Sequence, residues 1–204
     1  MATLIIDPEF EERLRAERKA IGADGYDEVW EGLYVMTPHP GEEHQAIQMR
    51  LAVALQAVIG WESDHRIYAG INVSDRDNGW EHNYRVPDVA VFLAGTQARN
   101  CGTHWRGGPD FAVEIISPGD RSREKLAFYA EVGVRELLLI ARDPWGLERY
   151  QLEQQQLALK EMTSLEVSRS LASSVLPVQF RLIEGPGRPL IEVARTDQDE
   201  HWKV

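Results

Sequence analysis

The apolar positions change period several times along the chain, and each change marks an element. Residues 8–21 (PEFEERLRAERKAI) predict a short charged helix with Phe10, Leu14 and Ile21 as sparse anchors, stopped by Gly22 and Gly25. Residues 28–36 (EVWEGLYVM) alternate and predict a strand that Pro38 and Pro40 end. From Glu42 to Ile59 the period becomes helical, with Ile47, Leu51, Leu55 and Val58 on one stripe and Gly60 as C-cap. Strands follow over 66–74 and 84–93, either side of the turn cluster DRDNG at 75–79, and then a Gly-, Asn- and Thr-rich loop over 94–110. Residues 111–116 (FAVEII) form a nearly continuous apolar run. SPGDRS at 117–122 leads into a helix over 121–132, with Gly133 as its stop and a central strand at 135–141. A DPWG turn at 143–146, a hairpin over 147–160 around QQQ, and strands at 178–184 and 189–194 precede a polar end.

This order predicts an α/β (mixed α+β) fold, a mixed sheet flanked by helices with extra C-terminal β-hairpins. The strand, helix and strand of 111–141 predict a parallel pair joined by a crossover. There is no internal repeat and no low-complexity stretch. The expectation is one domain over residues 1–204, with its core at about 26–150 and a β extension at 151–204.

Composition narrows the function. Against 22 Lys and Arg stand 33 Asp and Glu, a net charge of −11, which excludes a protein that coats nucleic acid by bulk charge but not one with a local basic groove. The longest apolar runs fall far short of the ~20 residues that span a bilayer, and MATLIIDPEFEER lacks the parts of a secretion signal. The chain therefore reads as cytoplasmic, with no membrane partner. A single cysteine, Cys101, excludes an internal disulfide and any multi-cysteine zinc site. No GxxxxGK[ST] or GxGxxG stretch occurs, so no nucleotide cofactor is expected, and Ser117 lacks the glycines of a nucleophile elbow.

Three side chains stand out against the apolar pattern. Glu114 shares a strand face with Ala112 and Ile116, where an ionised carboxylate needs a cation, a donor network or a wet cleft. Asp88 follows Pro87 and lies near a strand end beside an apolar wall, where it could equally close a turn. Lys125 shares a helix stripe with Phe128, Tyr129 and Val132. It could snorkel to solvent, but an acidic partner on the sheet beneath explains a mid-stripe lysine better, and Glu114 is the candidate. Two carboxylates and a lysine at strand ends suit a hard cation such as Mg2+ or Mn2+ and the hydrolysis of a phosphodiester. Glu31 lies on the apolar side of the 28–36 strand and is a weaker candidate, preferred over Glu28. His44 sits on the helix stripe before Ile47 and reads first as a structural histidine, with a contact behind the site or to a phosphate as the sharper alternative. The six tryptophans read as core and interface residues, and Arg121 and Arg123 as solvated surface.

Pro87-Asp88 followed by Glu114 resembles the PD-(D/E)XK nuclease superfamily, whose fold is restriction-endonuclease-like. The segments EVWEGLYVM, RVPDVAVF and FAVEIISPGDRSREKLAFYAEVGVRELLLI, with His44 between the first two, resemble more closely the Uma-type restriction endonucleases of bacteria. The superfamily lysine would stand at 116, where this chain has Ile116; the Uma-type family takes it from the next helix, and Lys125 matches that place. The resemblance implies Asp88, Glu114 and the Ile115 carbonyl as ligands of Mg2+ or Mn2+, Lys125 as the group positioning water or phosphate, and an N-terminal acid beside them. It also implies DNA as substrate and a homodimer as the working form. The alternative is a catalytically inactive domain that keeps the fold as a binding or assembly module. A glycosidase acid/base pair formed by Asp88 and Glu114 ranks below both, because a lysine between them has no task there.

Overall fold

The computed structural model describes residues 3–117, 119 and 121–204. Its centre is a six-stranded sheet with strands in the order 156–163, 145–153, 136–142, 111–115, 89–92 and 66–68. Phe111–Ile115 and Glu136–Arg142 pair in parallel, as the crossover predicts, and every other neighbouring pair is antiparallel. All five residues of Phe111–Ile115 are buried, because helices or sheets cover both faces.

The two faces divide by the period of the strand. Phe111, Val113 and Ile115 pack with Leu138 and Ile140 against helix α2 (Glu42–Ile59) and the C-terminal strands. Ala112, Leu137 and Leu139 face the other way, against Phe128 and Tyr129 of helix α3 (Leu126–Glu131) and Trp105. α2 has the predicted bounds, and its stripe of Ile47, Leu51, Leu55 and Val58 is buried as expected. Each such side chain contributes about 1.5–3 kcal/mol on full burial. Helix α1 (Pro8–Ala20) also forms, capped by Asp7, whose carboxylate accepts from the Glu9 and Phe10 amides.

A seven-stranded sheet lies beside the first, in the order 3–5, 33–36, 28–30, 84–85, 73–74, 105–106 and 99–100. It corrects three predicted strands. Residues 28–36 split into Glu28–Trp30 and Leu33–Met36, because Glu31 (φ 50°) and Gly32 (φ 86°) form a two-residue hairpin turn. Residues 66–74 split around Gly70 (φ 77°), whose amide donates to the Asp88 carbonyl. Residues 84–93 split at Pro87, which has no donor for a ladder. Tyr84–Arg85 stays in the seven-stranded sheet and Val89–Phe92 in the six-stranded one, so Val86-Pro87-Asp88 is where the chain changes sheets.

The predicted 121–132 helix is shorter than expected. A 3-10 turn over Ser122–Lys125 precedes α3, and Pro118 and Asp120 of the predicted 117–122 turn lie outside the described residues. The predicted loop at 94–110 holds two short strands, Arg99–Asn100 and Trp105–Arg106, and the polar end contributes His201–Lys203 to a four-stranded C-terminal sheet. No helix among the described residues is long and apolar enough to cross a membrane.

Candidate active site

Four elements deliver the site. The end of Phe111–Ile115 carries Glu114, the sheet-changing segment carries Asp88, the hairpin strand Glu28–Trp30 carries Glu28, and the junction of the 3-10 turn with α3 carries Lys125. They line one cleft of about 290 Å³ together with His44, Ile115 and Ser117.

Lys125 does not snorkel. Its ammonium lies 2.8 Å from Glu28 Oε1 and 3.1 Å from both oxygens of Glu114, and its side chain is only 13% exposed. The predicted Lys125–Glu114 pair is therefore present. Tyr129, placed on the same stripe by helical period, donates its hydroxyl to Glu114 Oε1 at 2.5 Å. Glu28 is held on both oxygens, by the Val86 amide at 2.8 Å and by Trp30 Nε1 at 2.6 Å. Arg85 stacks on the Trp30 ring behind it.

Asp88 is held as firmly. Oδ1 meets His44 Nε2 at 2.7 Å, and Oδ2 accepts the Ile115 amide at 2.7 Å. Gln48, one helical turn beyond His44, donates to the Asp88 carbonyl at 2.8 Å. The other ring nitrogen of His44 meets Ser117 Oγ at 3.3 Å, and Arg142 donates to that hydroxyl and to the Ile116 carbonyl. His44 therefore braces Asp88 from behind, a contact its place on the α2 stripe could only suggest.

The structure brings Asp88, Glu114, Ile115, Lys125 and His44 together but not Glu31. Glu31 is exposed in the hairpin turn, and Glu28 takes its place at the lysine. The preference for Glu31 followed from extending the alternation through residues 28–36, and the Glu31-Gly32 turn resets that alternation. The Glu31-Gly32 pair inside the alternating segment was the available signal. The contacts of Tyr129 and Trp30 with the acids were also missed, because both residues read as ordinary core aromatics.

Charge does not balance in the cleft. The carboxyl groups of Glu28, Asp88 and Glu114 line it beside the Lys125 ammonium and the Arg121 guanidinium. Burial, and then the Asp88 and Glu28 carboxylates, push the Glu114 carboxyl up to about 8 against the opposing pull of Lys125. Burial disfavours the Lys125 ammonium, but Glu114 and Glu28 outweigh it and hold the group above its ordinary range. The cleft thus has room for further positive charge, and its hard oxygen donors fit a divalent ion of the Mg2+ class. The ammonium bridges Glu28 and Glu114. Among the described residues, three tightly gathered metal-ligating groups occur only elsewhere, at Asp77, Cys101 and His104.

A family model described as "Uma2: Putative restriction endonuclease" matches residues 15–182. A solved structure, a "putative nuclease belonging to DUF820 from Anabaena variabilis ATCC 29413", is similar over 67% of this chain and 76% of its own, with 22% identity and a TM-score of 0.53. A search of curated proteins finds no match.

Proposed function

From the membership of the chain in the Uma2 family and its restriction-endonuclease-like mixed fold, we propose that it is an endonuclease hydrolysing DNA phosphodiester bonds with Mg2+ or Mn2+. The observation that carries the reading is the excess of buried carboxylate around one ammonium at Glu28, Asp88, Glu114 and Lys125.

Asp88 and Glu114, with the Ile115 carbonyl, would hold the cation. Once bound, it polarises a phosphate oxygen and offsets the developing negative charge. The chain's own residues do the rest. His44 and the Ile115 amide fix both oxygens of Asp88, so the carboxylate needs no reorganisation. Glu114 and Glu28 beside Lys125 favour its ammonium form. The ammonium is placed to orient the attacking water and to stabilise the pentavalent phosphorus. Glu28 holds the lysine from the far side.

The working form we propose is a homodimer. Leu159 and Met162 of the edge strand Gln156–Thr163, and Leu165 and Val167 beyond it, are exposed apolar side chains that a second copy would cover. Sedimentation of Met162→Asp against the wild type tests this.

The activity is tested by incubating supercoiled DNA with the full chain and Mg2+ or Mn2+. Wild type nicks and linearises it, and Asp88→Asn and Glu114→Gln lose the activity by about 100-fold or more. Absence of cleavage with either ion, together with equal Mn2+ affinity in wild type and both variants, would leave the binding-module alternative standing instead.

A further inference from the structure

A second cluster of chemically active side chains lies away from the carboxylate cleft. The hairpin made by Arg99–Asn100 and Trp105–Arg106 has Cys101-Gly102-Thr103-His104 at its tip. The tip is closed by the Cys101 amide donating to the His104 carbonyl at 2.9 Å, with Gly102 at φ 87° supplying the left-handed bend. This Cys-x-x-His spacing puts two donors on one tight turn. The DRDNG turn brings Asp77 against it, and one ligand atom each from Asp77, Cys101 and His104 lies within 4.8 Å of the others.

The surroundings prepare these groups. His104 is only 3% exposed, and the Trp80 ring stacks on it with centroids 4.8 Å apart. Nε2 lies 3.1 Å from the Arg76 carbonyl, which can only accept, so Nε2 carries the ring proton and Nδ1 keeps its lone pair. That lone pair meets the rotatable Thr103 hydroxyl, at 3.1 Å. An imidazole fixed through its second nitrogen by a backbone carbonyl is the usual support of a metal-ligating histidine. The Cys101 sulfur lies 3.3 Å from Asp77 Oδ1 and 3.7 Å from the Arg99 carbonyl oxygen. Arg99 pairs with Asp77 Oδ1, and Arg106 lies 3.2 Å from its other oxygen.

We propose that Asp77, Cys101 and His104 form a Zn2+ site with water in the fourth position. Sulfur, imidazole and carboxylate donors together favour this borderline-soft ion over Mg2+. Tetrahedral bonds to zinc place donor atoms roughly 3.3–3.5 Å apart, a spacing that Cys101 Sγ and Asp77 Oδ1 already have at 3.3 Å, while the remaining pairs, all within 4.8 Å, need small rotations to reach it. Binding expels the thiol proton to solvent and leaves thiolate, carboxylate and Zn2+ neutral overall. The ion replaces Arg99 and Arg106 as the counter-charge of Asp77 and frees both guanidiniums to solvent. Metal here would therefore pin the hairpin to the 75–79 turn and raise the local positive charge on an otherwise acidic chain.

The test uses the reduced, metal-stripped full chain titrated with Co2+ in place of Zn2+. The expected spectrum has a thiolate-to-cobalt charge-transfer band and strong tetrahedral visible bands, saturating at one equivalent and bleached by Zn2+. Cys101→Ser removes the charge-transfer band, and His104→Gln weakens Co2+ binding at least about 10-fold. Cys101 is the only thiol in the chain, and the carboxylate cleft offers no sulfur, so the wild-type spectrum decides the matter even if a variant folds poorly. A wild-type titration to millimolar Co2+ that shows no thiolate band overturns the site. Loss of DNA cleavage in Asp88→Asn with the band intact would separate this site from the nuclease reading.

Discussion

Glu114 is an acid whose folded environment prefers it neutral, and this has a measurable sign. Its carboxyl is raised from 4.5 to about 8, first by burial, with Lys125 opposing and Asp88 and Glu28 adding. The folded state therefore binds this proton more tightly than the unfolded chain. The resulting stability is full below about pH 4.5 and is lost as pH rises toward about 8. Metal-free protein should melt lower at pH 8 than at pH 5.5 through this group, and Glu114→Gln should flatten that part of the profile. Calorimetry in a chelator reads the difference at about 2–4 °C per kcal/mol for a chain of this size. Mn2+ should raise the melting temperature of the wild type more at pH 8, where the carboxylate is already free of its proton. His44 belongs to the same scale. It braces Asp88 without reaching the lysine pair, so His44→Ala should cost about 10–100-fold in cleavage or Mn2+ affinity. A variant with wild-type values for both would remove its positioning role.

Between residues and sheets, turns decide which acids reach the cleft. Trp30 pairs with Leu33 across the Glu31-Gly32 turn, so Glu28 faces Val35 and points inward. Glu31→Asn suits the positive φ of that turn and should leave cleavage unchanged, whereas Glu28→Gln should abolish it; equal losses in the two would put Glu31 back in the site. The hairpin of Trp145–Glu153 and Gln156–Thr163 closes through Gln154 (φ 47°) and Gln155 (φ 64°), neither of them glycine or asparagine. Replacing them with Asn-Gly should stabilise the chain by about 1 kcal/mol in urea denaturation, with activity unaffected. The long periodic elements were legible: α1, α2, the Phe111–Ile115 and Glu136–Arg142 strands and their parallel pairing all follow from period and stops. What period cannot register is a strand that turns after three residues, or one that changes sheets at a proline. The same limit governs the site. Lys125 and Glu114 were found because each violates an apolar pattern. Tyr129 and Trp30 obey theirs, and a hydroxyl or indole N–H turned toward an acid leaves no mark in the periodicity.

At the scale of the molecule, the C-terminal strands are part of the core. Phe180, Leu182, Ile191, Val193 and Val204 are buried in one cluster with α2 and the central sheet. Glu136, fully buried on the middle strand, accepts from the Ser174 amide at 2.8 Å, the Ser174 hydroxyl at 2.6 Å and Arg149 at 3.2 Å, which keys the extension to the sheet. We therefore propose that residues 1–204 fold as one unit. A chain ending after Thr163 should lose cooperative unfolding altogether, as followed by near-ultraviolet circular dichroism. A truncated form that melts with a sharp transition would make the extension a separate domain.

The lysine and its acid come from different elements, joined by residues 116–121. Position 116 is thereby released to an isoleucine that packs against the aromatic side of the sheet. On the proposed reading, what must be inherited is a point in space, reached by a strand from one side and a helical turn from the other. Text-based searches that demand a fixed gap between the two residues will pass over such chains, while a comparison of charge positions in three dimensions will not.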